Sequence, residues 1–288
     1  MKIQWFPGHM AKAKKEILKN IKLVDLVIEI VDARCPFSST NYDIKKDLQN
    51  KSKIIIINKI DLVEQKMLDE FIKQNSGTEI ILMSLKDSSN IKSKLNTAVK
   101  KACSHILDKR KEKNIINTKI KAMIVGMPNV GKTTLINRYI NKNLLSTANK
   151  PGVTRQAIWI NASDELDLLD TPGISMPSFV NDKMAENLAM IGSINDEIIN
   201  IDEVVFSFLE YCKNNYEENI IDRYKLKNNF DSSLSNIETI SIYDAIAQNM
   251  NCITNKKIDY TKCAKLILTD FRNGNLGKIS LDESEFLK

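Results

Sequence analysis

The chain has 288 residues, 43% of them hydrophobic and 27% charged, which fits a globular protein with room for one large domain and a smaller second one. No apolar run approaches a bilayer-spanning length, the first residues carry neither a signal-peptide core nor a presequence, and the five cysteines form no C-x-x-C pair; this argues against membrane insertion, zinc and a disulfide framework, and suits a reducing cytoplasm. The net charge of +6 is uneven: residues 1–192 carry 31 Lys and Arg against 20 Asp and Glu, residues 193–288 carry 11 against 16, and the basic excess over 1–24 and 92–121 suits either a polyanionic partner or a solvated helix face.

Trp5-Phe-Pro-Gly-His-Met10 opens the chain, followed by a basic helical stretch from Ala11 to Lys22. Pro-Gly marks a turn, and the aromatic pair is expected to pack on the body of the protein. Leu26 to Val31 reads as a strand ending at Asp32-Ala-Arg34. Residues 40–50 read as helix, and Lys53 to Ile57 as a buried strand leading into Asn58-Lys-Ile-Asp61. Residues 64–74 read as helix, Glu79 to Met83 as a third strand before Ser84-Leu-Lys86, and 90–110 as one long helix. Ile120 to Val125 predicts a strand, Gly126-Met-Pro-Asn-Val-Gly-Lys-Thr133 a loop, and Leu135 to Ile140 the first turns of a helix. A loop over 141–156 holds Pro151-Gly-Val-Thr-Arg155. Ala157 to Asn161 and Leu166 to Leu169 then read as adjacent antiparallel strands, the second running into Asp170-Thr-Pro-Gly173. Beyond about residue 182 the strand signal fades, and 183–191, 202–215, 241–250 and 260–272 read as helices.

Strands alternating with helices predict a doubly wound α/β sheet, with ligands beyond the carboxyl ends of the strands. Each motif follows a strand, which is where a shared site would form. The expected organisation is a basic segment over 1–24 packed on an α/β domain over 25–179, followed by a small all-α domain over 180–288.

Residues 126–133 fit the P-loop pattern G-x-x-x-x-G-K-[ST] at every specified position, between a strand and a helix. Such a loop turns backbone N–H groups toward phosphate oxygens at a helix N-terminus. Asn129, Val130, Gly131, Lys132, Thr133 and Thr134 are the expected phosphate contacts, with Lys132 on the β- and γ-phosphates and the Thr133 hydroxyl on Mg²⁺. Asn58-Lys-Ile-Asp61 fits N-K-x-D: a carboxylate at Asp61 accepts from guanine N1–H and its 2-amino group, which adenine cannot match. Asn58 would contact the base edge and brace the P-loop, Lys59 would lie along the ring, and Ser84, Leu85 and Lys86 would support the base. Asp170 would hold Mg²⁺ through a water, the Gly173 N–H would sense the γ-phosphate, and Thr154 would close over both.

The motif order, with N-K-x-D and S-x-K ahead of the P-loop, Thr154 and D-x-x-G, resembles that of circularly permuted GTPases. With Trp-Phe-Pro-Gly-His-Met, Asp32-Ala-Arg34 and Asp270-Phe-Arg-Asn-Gly-Asn-Leu-Gly277, the chain resembles the ribosome biogenesis GTPase A family over essentially its whole length. The resemblance implies a permuted P-loop GTPase domain, with a six-stranded, mostly parallel sheet and helices on both faces, and then a small all-α domain. It implies hydrolysis of GTP to GDP and phosphate, slow alone and stimulated by the large (50S) ribosomal subunit, with that subunit and its rRNA as partners. A cytoplasmic monomer is the accompanying expectation. The permutation places the new chain ends after D-x-x-G and before the Leu26 strand, so the N-terminal segment and the helical domain both attach beside the second switch.

Ras-like enzymes place a water-orienting glutamine after D-x-x-G, and here that residue is Ile174. His9 is the candidate substitute, since a neutral imidazole orients or deprotonates water and the family's histidine matches it; the alternative is that His9 caps a turn and docks Trp5 and Phe6. Asn129 matches the asparagine with which related GTPases bind K⁺, or is a loop residue chosen for its backbone conformation. Residues 256–278 hold six Lys and Arg against two acids, and Lys262, Lys265, Arg272 and Lys278 are the expected RNA contacts beside a buried stripe of Ile258, Cys263, Ile267 and Phe271. A switch for a protein effector or an RNA-modification complex, and a non-hydrolysing RNA-binding scaffold, stay open as rival readings.

Overall fold

The computed structural model describes residues 8–45, 47–87, 89–115, 119–142, 157–176, 179, 181–230 and 233–282. The expected aromatic anchor Trp5 and Phe6, the loop carrying Thr154, and the His9 side chain lie outside the described residues.

The elements in chain order are α1 (Gly8–Asn20), β1 (Leu26–Asp32), α2 (Tyr42–Lys45), β2 (Ser52–Asn58), α3 (Asp69–Gln74) and β3 (Glu79–Met83). There follow α4 (Ile91–Ala102), α5 (Ser104–Glu112), β4 (Ile120–Val125), α6 (Lys132–Ile140), β5 (Ile158–Asn161) and β6 (Leu166–Asp170). The remainder is helical, α7 (Asp182–Met190), α8 (Ile201–Asn215), α9 (Glu217–Tyr224), α10 (Thr239–Asn249) and α11 (Tyr260–Asn273), with a two-residue hairpin β7 (Ile253–Thr254) and β8 (Lys257–Ile258) before α11. Short 3₁₀ turns join several of them.

The six-stranded sheet runs β3-β2-β1-β4-β6-β5, every pair parallel except β5 with β6. All seven residues of β1 are buried, which is why it reads as a continuous apolar run. Leu26, Ile28 and Ile30 face one core, and Val27 and Val31 face two smaller clusters, the period of two that a strand imposes. The first core takes in α4, α6 and the helices from α7 to α11; on the opposite face α1 contributes Met10, Ala13 and Ile17 to a cluster with Met123, Val125, Leu169 and Ile174. The chain winds outward from β1 through β2 to β3 and then returns to place β4 on β1's other side. The reversal lies between β1 and β4, and the crevice beyond their carboxyl ends is where such sheets take ligands.

Three expectations need correction. The long helix over 90–110 is two helices, because the apolar stripe Ile91, Leu95, Ala98 and Val99 ends at Cys103 and α5 buries no residue. The helix over 40–50 shrinks to α2, since the chain there follows the Asp32 to Asn41 loop. Helix α9 and the β7–β8 hairpin were not expected, and Ile258 stands in that hairpin, ahead of the α11 stripe.

Candidate nucleotide and magnesium site

β4 delivers the chain into the P-loop, and α6 begins at Lys132 with its N-terminus toward the crevice. Lys132 is 6% exposed, and its Nζ donates to the carbonyls of Gly126 at 3.1 Å and Met127 at 2.8 Å. Burial pushes the Lys132 ammonium down to about 8, with Asp170 partly opposing it. Thr134 sits half-buried in the first turn of α6. β6 delivers Asp170, and Thr133 Oγ1 donates to Asp170 Oδ2 at 3.2 Å. Thr171 Oγ1 donates to the Ile124 carbonyl at 2.6 Å, which straps this turn to β4. Gly173 passes so close to the P-loop that a Cβ would lie 2.8 Å from Pro128 Cα and 3.0 Å from Lys132 Nζ. The two sequence-distant phosphate motifs therefore meet, and only a residue without a side chain fits at that approach.

The hydroxyl of Thr133 and the buried carboxylate of Asp170 are hard oxygen donors side by side, the set that Mg²⁺ prefers with water and phosphate completing its shell. The donor set fits the ion, and Thr133 and Asp170 would hold it, where its charge would offset that of a bound polyphosphate.

The base side is built around Asn58 at the end of β2. Its Nδ2 donates to the Val130 carbonyl at 2.7 Å, and its Oδ1 accepts from the backbone N–H groups of Lys59 at 2.8 Å and Leu85 at 3.1 Å. One amide thus ties N-K-x-D, S-x-K and the P-loop together. Asp61, Ser84 and Lys86 line a cavity with Ile60, and Lys86 Nζ stands 3.4 Å from Asp61 Oδ2.

Two residues that sequence reasoning gave no role are central. Lys59 Nζ donates to Asp32 Oδ2 at 2.6 Å and to the Asn129 carbonyl at 3.3 Å, while Arg34 forks onto both oxygens of Asp32 at 2.9 and 2.8 Å. Burial would raise the Asp32 carboxyl, but Arg34 and Lys59 overcome it and hold the group well below the usual carboxylate range. Lys59 is pushed down by burial, with Asp32 opposing. The available signal was the position of Asp32, a carboxylate closing an otherwise apolar strand.

Ile174 is 1% exposed in the α1 cluster, so the side chain after D-x-x-G points into the core. α1 is thereby packed beside the second switch, and His9 lies in the first turn of that helix. Asn129 adopts a left-handed backbone (φ 62°), and its Nδ2 donates to the Gly192 carbonyl at 2.5 Å.

Of the expected RNA contacts, Lys262, Lys265 and Lys278 are exposed, Lys262 Nζ donating to the Asn251 carbonyl and Lys278 lying 3.8 Å from Glu64. Arg272, the fourth expected contact, is half-buried. Its guanidinium turns inward, onto the carbonyls of Ala189 and Met190 and both oxygens of Asp196.

A family profile described as "50S ribosome-binding GTPase" matches residues 121–239. The chain is 36% identical over 288 residues to ribosome biogenesis GTPase A of Bacillus pumilus, covering 99% of this chain and 100% of that one. It is 31% identical over 281 residues to the probable ribosome biogenesis GTPase A of Mycoplasma genitalium, covering 98% and 97%. Its fold matches the crystal structure of GNP-bound YlqF from T. maritima with a TM-score of 0.65 at 22% identity, over 95% of this chain and 99% of that one.

Proposed function

The chain belongs to the ribosome biogenesis GTPase A family, and we propose that it binds the assembling large ribosomal subunit and hydrolyses GTP there to time a late maturation step. It is a GTP hydrolase by family and fold. The observation that supports the reading is that Lys132, Thr133, Asp170 and Gly173 approach one another at the end of the sheet, with Asn58 tied to the P-loop and Asp61 lining the adjoining cavity.

Within that set Lys132 stabilises the β- and γ-phosphates, Thr133 and Asp170 hold Mg²⁺, and Asp61 selects guanine. Thr154 closes over the γ-phosphate, and the Asn129 amide oxygen is the atom that would face K⁺, its nitrogen being committed to Gly192. With Ile174 turned into the core, the attacking water needs another partner, and His9, carried by a helix packed beside the second switch, supplies it. The lysines at 262, 265 and 278, with the basic stretches over 1–24 and 92–121, supply phosphate contacts to rRNA.

The test is GTP hydrolysis in K⁺ buffer, for the protein alone and with purified immature or mature large subunits, with His9→Ala in parallel. Stimulation by subunits that His9→Ala loses, while it still binds GTP and subunits, is the expected result. Absence of stimulation would shift the reading to an effector switch, and absence of hydrolysis to a scaffold.

A further inference from the structure

The last turn of α11 reaches the P-loop residue Asn129 by two routes. The first runs through Arg272. Its Nη2 donates to the Ala189 carbonyl at 2.8 Å and its Nε to the Met190 carbonyl at 3.0 Å, the end of α7. Its Nη1 and Nη2 each donate to Asp196 at 2.7 Å, on the far side of the turn. The guanidinium thus caps α7 and clamps the turn over 190–196. That turn in turn holds the P-loop: the Gly192 carbonyl accepts from Asn129 Nδ2 at 2.5 Å, and Ser193 Oγ donates to the Pro128 carbonyl at 2.6 Å. Gly192 has φ +79°, and a Cβ there would stand 3.2 Å from Arg272 Nε and 3.5 Å from Asn129 Nδ2. Glycine is what lets the guanidinium and the P-loop amide share one backbone position.

The second route starts one residue earlier. Arg34 Nη1 donates to the Phe271 carbonyl at 3.3 Å, and its guanidinium lies 4.8 Å over the Phe271 ring. Arg34 holds Asp32, Asp32 holds Lys59, and Lys59 Nζ donates to the Asn129 carbonyl. One route sets the Asn129 side chain and the other its backbone.

We propose that Arg272 is a positioning residue for the nucleotide site, acting through Ala189, Met190 and Gly192 to set Asn129 and the P-loop. The proposal deepens the nucleotide-site reading and rests on it for its consequence: the seating of α11 governs how tightly guanine nucleotide is held. Because the Arg34 route remains when Arg272 is lost, the expected effect is a loosened P-loop, short of a lost site.

The test compares wild type with Arg272→Gln, Arg272→Lys and Asp196→Asn, each checked by thermal melt. Hydrogen–deuterium exchange is read on peptides covering 126–134 and 188–196, and the dissociation of a fluorescent GDP is read by stopped flow. Arg272→Gln should speed exchange in both peptides and raise the GDP off-rate about tenfold, the size of a typical coupling between packed groups. Arg272→Lys should restore part of it, since an ammonium reaches the carbonyls but cannot fork onto Asp196. Asp196→Asn should move both readouts in the same direction by less, and it stands in if Arg272→Gln fails to fold. In an Asn129→Ala background the Arg272→Gln effect on the off-rate should shrink, the part carried by Ser193 on the Pro128 carbonyl remaining. Unchanged P-loop exchange in a folded Arg272 or Asp196 variant, or an undiminished effect in the Asn129→Ala background, would overturn the proposal. A wild-type protein that binds no GDP would instead sink the nucleotide-site reading, which the exchange data separate from the positioning role.

Discussion

Asn58 Nδ2 and the Val130 carbonyl, 72 residues apart in the chain, meet at 2.7 Å and join the guanine motif to the phosphate loop. Asn58 is 3% exposed and satisfies three backbone groups at once. Asn58→Ala leaves the Val130 carbonyl and the Leu85 N–H buried without this partner, at about 1–3 kcal/mol for each unsatisfied group. Both the unfolding midpoint and GTP affinity should fall, read by denaturant titration and by a fluorescent GTP analogue.

Asp61→Asn converts an acceptor-only group into one that also donates. Two hydrogen bonds from guanine to a charged acceptor are lost, at roughly 1.5–3 kcal/mol each, so GTP affinity should drop by about a hundredfold or more. Xanthosine triphosphate, whose base presents an oxygen where guanine has its 2-amino group, should gain. Competition binding with the two nucleotides decides it; equal losses for both would remove Asp61 from base recognition.

Burial holds Lys132 at about 8 as the P-loop carbonyls surround it. A triphosphate beside the ammonium raises it again. Binding should therefore take up a proton above pH of about 8, and apparent affinity should weaken as pH rises through that value. Calorimetry in buffers of different ionisation enthalpy measures the uptake directly, and Lys132→Arg should abolish its pH dependence.

Ile174→Gln places an amide in the apolar cluster of Met10, Ala13 and Ile17. The glutamine cannot face the nucleotide without breaking that packing, so the variant should lose about 2–4 kcal/mol of stability and gain no hydrolysis. Single-turnover GTP hydrolysis alongside a melting curve checks both halves.

Asp282 accepts from the Phe37 N–H at 2.7 Å and the Ser38 hydroxyl at 2.6 Å, docking the chain after α11 onto the loop that follows β1. Burial pushes its carboxyl from 3.8 up to about 7, against the lowering effect of those donors. The folded protein thus holds this proton more tightly than the unfolded chain. Its contribution to stability is full below 3.8 and is lost as pH rises through about 7. Asp282→Asn should flatten that part of the stability profile, measured by urea unfolding between pH 5 and pH 8 (about the physiological range of such titrations).

Much of the fold was legible because strands and loops report local physics. β3 and β4 lie where their apolar runs placed them, and β5 and β6 pair antiparallel as read. The C-terminal helices α7, α8, α10 and α11 fall within a residue or two of their expected bounds. Misreadings came where a pattern continued past its packing partner. Residues 90–110 keep helical propensity throughout, yet the face that meets the sheet stops at Cys103. Nor does any local pattern signal that Lys59 reaches Asp32, a residue on a different strand.

The sequence by itself determined the motif order, the alternation of strand and helix, and where the motifs place their glycines, lysines and carboxylates along the chain. Each of these depends on residues a few positions apart, whose backbone hydrogen bonding and side-chain period are local. Only the tertiary structure decided which way Arg272 turns, that Ile174 is buried under α1, and that Arg34 reaches Phe271 across 237 residues. A charge has no preferred direction until a partner of opposite sign is brought within a few ångströms of it. For Arg272 that partner is Asp196, 76 residues earlier, and the packing of α11 against α7 is what puts the two together.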